Sequence, residues 1–525
     1  MQEDHPWVLE SKHFKHYIDR FNTLDEELYA QHFPNSCAWD FLSKNIPWFE
    51  CPDEDLERIY YFRWWTYRKH IKHTMDGFVV SEFLPNVPWA GKHNTINLSA
   101  AMHIYEGRWL RTPVYLDDYT RFWFRKGGAL RSYTTWLGDA IWARACVTGD
   151  FRLGVDLLGD LVTNFLAWQR GWTTQYCGTQ YHIGQHENGL FYQLDDREGT
   201  EMSISGHGFR PLTNSAMFGE ATAIRRLAEL AGNSAIVNYF SNIASRIRDV
   251  VLEKLWNPQM QFFLTLSADG RTFAKVRELN GYTPWYFLLA DPGKEQAWTH
   301  LLDPQGFYAP FGLTFAEQRH PKFILSYEGH ECQWNGPSWP MATSLTLTAL
   351  GNLLNQYPQN VITQRDYLNL LKIYAASHRR EREDGQVVPW IDENLNPYTG
   401  DWISRTRLKT WENGTWSEEK GGRERGKDYN HSTFCDLIIT GLVGLRPRQD
   451  EIIEVHPLAP ETWDYFCLDH VPYHRQSLTI LWDKHGDRYG WGKGLKVLDG
   501  GRIIAERPDL GEVTFTPMVG LDKTT

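Results

Sequence analysis

At 525 residues, with 42% hydrophobic and 23% charged residues, the chain has the balance of a large globular protein, which excludes a disordered or fibrous class. Its 54 basic and 65 acidic residues leave a net charge of −11, and the densest cationic stretch, Arg379 to Glu383, is interleaved with acids. That pattern excludes a nucleic-acid partner, and no window is apolar enough for a membrane partner. The opening run MQEDHPWVLESKHFKHY lacks the apolar core of a leader. The expectation is a cytoplasmic protein as written, or a secreted one if a leader was trimmed.

Apolar spacing of three and four predicts helices near 55–73, 132–148, 151–171, 213–231, 234–256, 338–355, 361–379 and 431–444. The run from Ala221 to Gly232 is typical, ending on its glycine, and the following helix stops at Asn257-Pro258. Short turns at Gly149-Asp150 and Gly232-Asn233 join these helices into antiparallel hairpins. Between the hairpins run long connections rich in Gly, Pro and Trp, over 74–131, 172–212, 257–337 and 380–430. Connections of that length are usually functional. If the hairpins close into a ring, the connections gather at one end and build a pocket. From about residue 446, VHPLAP, LTILWD and KGLKVLDGGRIIAER read as short strands, with turns at Lys484-His485-Gly486 and Asp499-Gly500-Gly501.

The chain holds 24 Trp, 25 Tyr and 27 Phe, 14% of its residues. Most of these rings belong to the core, yet flat apolar faces with polar edges also suit the C–H faces and hydroxyl rims of sugars. The seven cysteines (37, 51, 146, 177, 332, 435 and 467) have no zinc spacing, and His330 with Glu331 is too small a set for a metal. No metal or cofactor is implied. Sequons at Asn97, Asn413 and Asn430 decide nothing.

Cleavage of a glycosidic bond needs one carboxylic acid to protonate the leaving oxygen and a second carboxylate opposite it. Two loops present acids among rings and rigid turn residues. The first, Gly189 to Asn214, carries Asp195, Asp196, Glu198 and Glu201 before a helix. Apolar neighbours and other carboxylates raise the pKa of such an acid, as a proton donor requires. The same run also reads as a solvated acidic turn. The second, Val387 to Gly400, holds Glu393 between a Pro-Trp pair and an Asn-Pro turn. Between them, Gln333-Trp334-Asn335-Gly-Pro-Ser-Trp339-Pro presents rings at a helix entrance, where Ser338 is the expected cap. Lesser candidates for holding a sugar are Arg63 and Trp65 on an early helix, Glu82 in a long loop, Trp136 and Asp139 near a helix start, Arg210, and Tyr429 with His431.

WNGPSWP before a helix resembles the signature of a clan of toroidal hydrolases that includes trehalase, processing α-glucosidase I and mannosylglycerate hydrolase. ENLNPYTG resembles the segment that carries the base in glycoside hydrolase family 63, and the likeness puts that role on Glu393. Gly199 to Ser205 is similar to the stretch that carries the general acid, which implies Glu201. The relatives have Asp where this chain has Glu201, so Asp196 and Asp195 stay open as alternatives. The closest resemblance is to mannosylglycerate-hydrolase-like domains, a group that includes relatives of a β-L-arabinofuranosidase family.

The resemblance implies a mainly α fold: an (α/α)6 toroid over residues 1–445 with an N-terminal extension, and a small β appendage over 446–525. It implies an exo-acting, inverting, metal-independent glycosidase whose partner is an oligosaccharide or glycoside, possible as a homo-oligomer. Two rivals are a carbohydrate-binding protein without turnover, and a polysaccharide lyase or sugar epimerase using Tyr429 or His431.

Overall fold

The computed structural model describes residues 7–325, 332–404, 418–422 and 424–516. His330, Glu331 and the sequon at Asn413 lie outside them. The described chain is mainly helical, with a sheet region near its C-terminus.

Helices α1 (Lys15–Leu24) and α2 (Ala38–Asn45) lead into strand β1 (Trp48–Glu50) and helix α3 (Glu54–His70). Asp53 caps α3 by accepting the Leu56 N–H at 3.1 Å. Acids crowd its first turn and Arg68, Lys69 and His70 its last, as the helix dipole favours. A hairpin of β2 (Ile71–Thr74) and β3 (Gly77–Val80) follows.

Helices α4 (Asn97–Gly107) and α5 (Val114–Arg125) occupy the stretch 74–131, which the sequence reading treats as one long connection. The reason is burial. In α4 every residue except Tyr105 is buried, so no polar stripe marks a 3.6-residue period.

Helices α6 (Leu137–Thr148) and α7 (Leu158–Arg170) follow one another across the left-handed Gly149, with φ 66°. Helices α8 (Pro211–Leu230) and α9 (Ser234–Lys254) form a tight hairpin through Gly232 and the Asn233 cap. A capping box of Thr363 and Asp366 opens α11 (Gln364–Ser377), which follows α10 (Pro340–Gln356). A π-helical turn, Leu437–Leu442, ends the helical part. Helix α8 packs on α6, α7 and α9, α10 packs on α11, and α11 returns to α3.

The helices share one continuous hydrophobic core, and Trp48, Trp64, Trp109, Trp123, Trp285 and Trp298 are buried in it. Strands β4 (Trp172–Tyr176), β5 (Thr179–Gln185), β6 (Phe191–Gln193) and β7 (Gly208–Phe209) make an antiparallel sheet before α8. The C-terminal sheet takes β8 (Tyr465–Tyr473), β9 (Gln476–Asp483), β10 (Gly494–Asp499) and β11 (Arg502–Arg507), with β1 as its far edge.

The expected turn at Asp499-Gly500-Gly501 forms with both glycines left-handed. VHPLAP is mostly irregular, since only Ile453–Val455 is strand there. The register of β8 shifts between Leu468 and Val471, which hides its alternation in the sequence. None of the described helices is long and apolar enough to cross a membrane.

Candidate active site

A hollow of about 460 Å³ opens at the N-terminal ends of α4 and α10, lined by Leu98, Trp339 and connecting segments from six parts of the chain. Glu201 and Glu393 both line it, although 192 positions separate them in the sequence.

The loop bearing Glu201 is stapled from beneath by the buried Arg210. Its guanidinium bonds Glu198 at 2.6 Å, Thr200 Oγ1 at 2.8 Å, Ser205 Oγ at 3.0 Å and the Gly206 carbonyl. Glu198 in turn accepts from the Thr213 amide and hydroxyl and from Asn280. Gly199 has φ 74°, and a Cβ there would lie 2.3 Å from the Leu98 side chain, so a larger residue would be strained in this turn. Met202, beside Glu201, has a left-handed φ of 61°, a strain of the kind that gathers at functional sites.

The Glu393 loop is held differently. Ser338 and Leu395 exchange both backbone hydrogen bonds at 3.0 Å, which joins ENLNPYTG to WNGPSWP. Ser338 is therefore not the cap of α10, which begins after Trp339. Buried Asp392 accepts the Glu393 N–H at 2.8 Å and the Ser404 hydroxyl at 3.0 Å. Gly426 packs so close to Asp392 that a Cβ would sit 1.8 Å from its carboxyl.

Burial pushes the Glu201 pKa well above the ordinary carboxylate range, and the charges of Asp196, Asp195 and Glu393 push it further. Around Glu393, Arg425 donates to Oε1 at 3.3 Å and the Cys332 thiol donates to Oε2 at 3.7 Å. Glu82 is a third acid on the wall. Tyr429 donates to its Oε1 at 2.6 Å, while Oε2 is buried. Burial lifts the Glu82 pKa to about 7. Trp334 and Trp339 stack in parallel, with ring centres 3.9 Å apart. His431, held neutral by burial, sits with its ring 4.2 Å from that of Tyr429.

Of the residues singled out in the sequence, Glu82, Asp196, Glu201, Trp334, Trp339, Glu393, Tyr429 and His431 line this hollow. The others lie outside that lining. Asp195 pairs with His207 at 2.8 Å. Arg63 bonds Tyr374, His378 and Ser432, and Trp65 donates to Asn22. Trp136 donates to Tyr286, and Asp139 accepts from Tyr105 at 2.6 Å. Arg210 serves the loop below Glu201. The Gln333 carbonyl accepts from Trp339 Nε1, and that of Asn335 from the Ile324 amide. Trp89, Tyr133, Cys332 and Arg425 line the hollow without having been singled out. No local motif marks them, because each joins the wall only through the fold. Among the described residues no group of three or more His, Cys, Asp or Glu side chains could hold a metal.

Paired acids and stacked indoles around one hollow are what cleavage of a glycosidic bond calls for. The chain is a member of the mannosylglycerate hydrolase MGH1-like glycoside hydrolase domain family, whose model matches residues 92–432. Residues 445–503 match the C-terminal domain of glycosyl hydrolase family 65.

A solved structure named a sialidase is similar at 40% identity and a TM-score of 0.88, over 97% of this chain and 45% of that one. The chain thus spans less than half the length of that relative. A mannosylglycerate hydrolase of family 63 from Thermus thermophilus matches at 11% identity and a TM-score of 0.47, over 68% of this chain and 95% of that one. A family 78 rhamnosidase of a Bacillus species matches at 11% identity and a TM-score of 0.49, over 83% of this chain and 40% of that one.

Proposed function

We propose that the chain is an exo-acting, inverting glycosidase built on an (α/α)6 ring, with Glu201 as general acid and Glu393 as general base. The observation that carries the reading is that these two carboxyls line one hollow. Their surroundings differ in the way the two roles require. Burial and neighbouring negative charge favour the protonated form of Glu201, while Arg425 and Cys332 donate hydrogen bonds to Glu393.

In one displacement, Glu201 gives its proton to the glycosidic oxygen as the bond from that oxygen to the anomeric carbon breaks. Glu393 takes a proton from a water whose oxygen bonds that carbon from the opposite face. Glycoside and water become free sugar and alcohol, and the acid and base are restored by exchange with solvent. A hollow of about 460 Å³ is at the smaller end of ligand sites and suits the terminal unit of a chain. The pairing of α10 with α11, and the return of α11 to α3, support the ring.

The described wall sets Glu82, Asp196, Glu201 and Glu393 against Lys420 and Arg425, a balance that favours a neutral sugar. The name of the sialidase relative is therefore not carried to this hollow. The test is a panel of neutral aryl glycosides and plant or microbial oligosaccharides, with NMR of the first product anomer. The reading expects inversion, and it expects turnover to be lost in both Glu201→Gln and Glu393→Gln. A retained anomer, or near-normal turnover in both variants, overturns it.

A further inference from the structure

A second hollow, of about 400 Å³, opens toward the C-terminal ends of the same helices and shares no lining residue with the first. Leu98 lines the first and Arg108 the second, and ten residues of helical rise place them about 15 Å apart. Trp339 and Gln356 mark the two hollows at opposite ends of α10 in the same way.

The walls offer ring faces and guanidinium groups together. Trp142, Tyr286 and Phe287 supply aromatic surface. Four arginines reach the lining, and two of them are matched by acids: Arg108 pairs with Asp436 at 2.8 Å, and Arg448 with Glu454 at 2.6 Å. The other two form no ion pair among the described residues. Arg446 donates to neutral oxygens, the Asn352 side chain at 2.7 Å and the Thr440 carbonyl at 3.3 Å. Arg226 lies 5.4 Å from the centre of the Trp142 ring, and among the described residues it has no hydrogen bond or ion pair.

Three acids on the lining face this pair: Asp139 acts on Arg226, while Glu454 and Asp436, each already paired with another arginine, act on Arg446. Asp139 accepts the Tyr105 hydroxyl at 2.6 Å, and burial raises its pKa while the Tyr105 hydrogen bond and the charges of Arg226 and Arg108 lower it. The chain as a whole carries −11, so four arginines against three acids on one lining run against the charge of the rest of the molecule. The π-helical turn supplies Leu437, Thr440 and Gly441 to the wall, and such turns concentrate at functional sites. Leu288 on the lining is 41% exposed and has a left-handed φ of 55°.

A guanidinium fork matches a carboxylate in two parallel hydrogen bonds, and an indole face matches the C–H face of a pyranose. We propose that this second hollow is a binding site for a carboxylate-bearing sugar, a uronic acid either free or as a unit of an acidic glycan. Its carboxylate pairs with Arg226 and Arg446, and its ring lies against Trp142. The site is independent of the catalytic assignment, because no residue is shared.

The test is calorimetric titration of the full chain with D-galacturonate, tri-galacturonate, D-galactose and inorganic phosphate at low salt. The expected result is binding of galacturonate at least tenfold tighter than galactose or phosphate, weakening as salt rises. Arg226→Gln should lose at least tenfold in that affinity and Arg226→Glu more, while Glu393→Gln binds as the parent does. Arg226 is partly exposed on α8, and an unchanged melting temperature in its variants keeps the comparison sound. Tighter binding of the trimer assigns the site to a unit within a glycan, and tighter binding of the monomer assigns it to the free acid. Absence of galacturonate binding, phosphate binding equal to it, or binding unchanged in both Arg226 variants overturns the proposal.

Discussion

The amide N–H of Trp334 donates to the carbonyl oxygen of Glu201 at 3.0 Å. That one bond ties the loop of the proposed acid to the segment whose Ser338 is bonded to Leu395, two residues past the proposed base. A continuous backbone path of three segments and three hydrogen bonds therefore spans the hollow. Such a frame holds two carboxyls at a set separation more firmly than side-chain contacts alone.

If Glu201 is the proton donor, its removal matters most where the leaving group needs a proton. Glu201→Gln is expected to lower kcat on alkyl glycosides by about 10²–10⁴-fold. On a dinitrophenyl glycoside, whose departing oxygen is already a weak base, the loss should be far smaller. Glu393→Gln should cost turnover on both substrates. Asp196, half-buried on the same wall and 3.4 Å from Arg197, is the alternative donor. Asp196→Asn should keep rates close to the parent. Steady-state kinetics on the two substrate types separates these outcomes.

Glu82 predicts a pH effect on stability. Its folded pKa is raised from 4.5 to about 7, so the folded chain holds this proton more tightly than the unfolded chain does. That contribution is complete below about pH 4.5 and is lost as the pH rises through 7. Gln at position 82 has no proton to lose. The stability of Glu82→Gln relative to the parent should therefore improve between pH 4.5 and pH 8, by up to about 3 kcal/mol. Urea unfolding at the two pH values measures it, and a relative stability that stays constant would show that Glu82 titrates normally.

The acids and indoles of the hollow were legible in the sequence because they sit in loops where Gly and Pro restrict the chain. Glu201 follows Gly199, and Trp334 precedes Gly336-Pro337. Arg63 and Trp65 illustrate the opposite case. They share α3, which is buried along most of its length, so composition does not tell which face meets a cavity and which meets Tyr374 or Asn22. Trp89 and Arg425 come from distant loops and meet only in three dimensions, the guanidinium 5.4 Å from the ring centre. Helix α4 was hidden by its own burial. Periodicity reports contrast between faces, and a helix enclosed on every side has little.

Arg210 is expected to act on catalysis through position rather than contact. Replacing it by Met leaves Glu198 buried and without its cation, a loss on the order of 3–5 kcal/mol in stability. Adding Glu198→Gln to Arg210→Met removes the stranded charge and should recover part of that loss. Turnover should stay low in the double variant, because the staple under Gly199 and Glu201 is still missing. Denaturant unfolding and kcat, measured on both variants, distinguish this from a purely structural role, in which activity would return with stability.

Trp334 and Trp339 form a single platform, their rings 3.9 Å apart and inclined by 6°. Trp334 Nε1 is buried without a hydrogen bond, so the indole contributes to the described structure by its face and not by its N–H. Phe keeps an apolar ring but loses area, while Ala opens a hole beneath Trp339. Trp334→Phe should therefore raise KM modestly with kcat nearly kept. Trp334→Ala should cost about 3–5 kcal/mol in stability, as large-to-small changes of buried Trp do. If the platform holds sugar, the KM of Trp334→Phe rises for the natural glycoside and little for a small aryl substrate. Equal KM changes on both would assign Trp334 to packing alone.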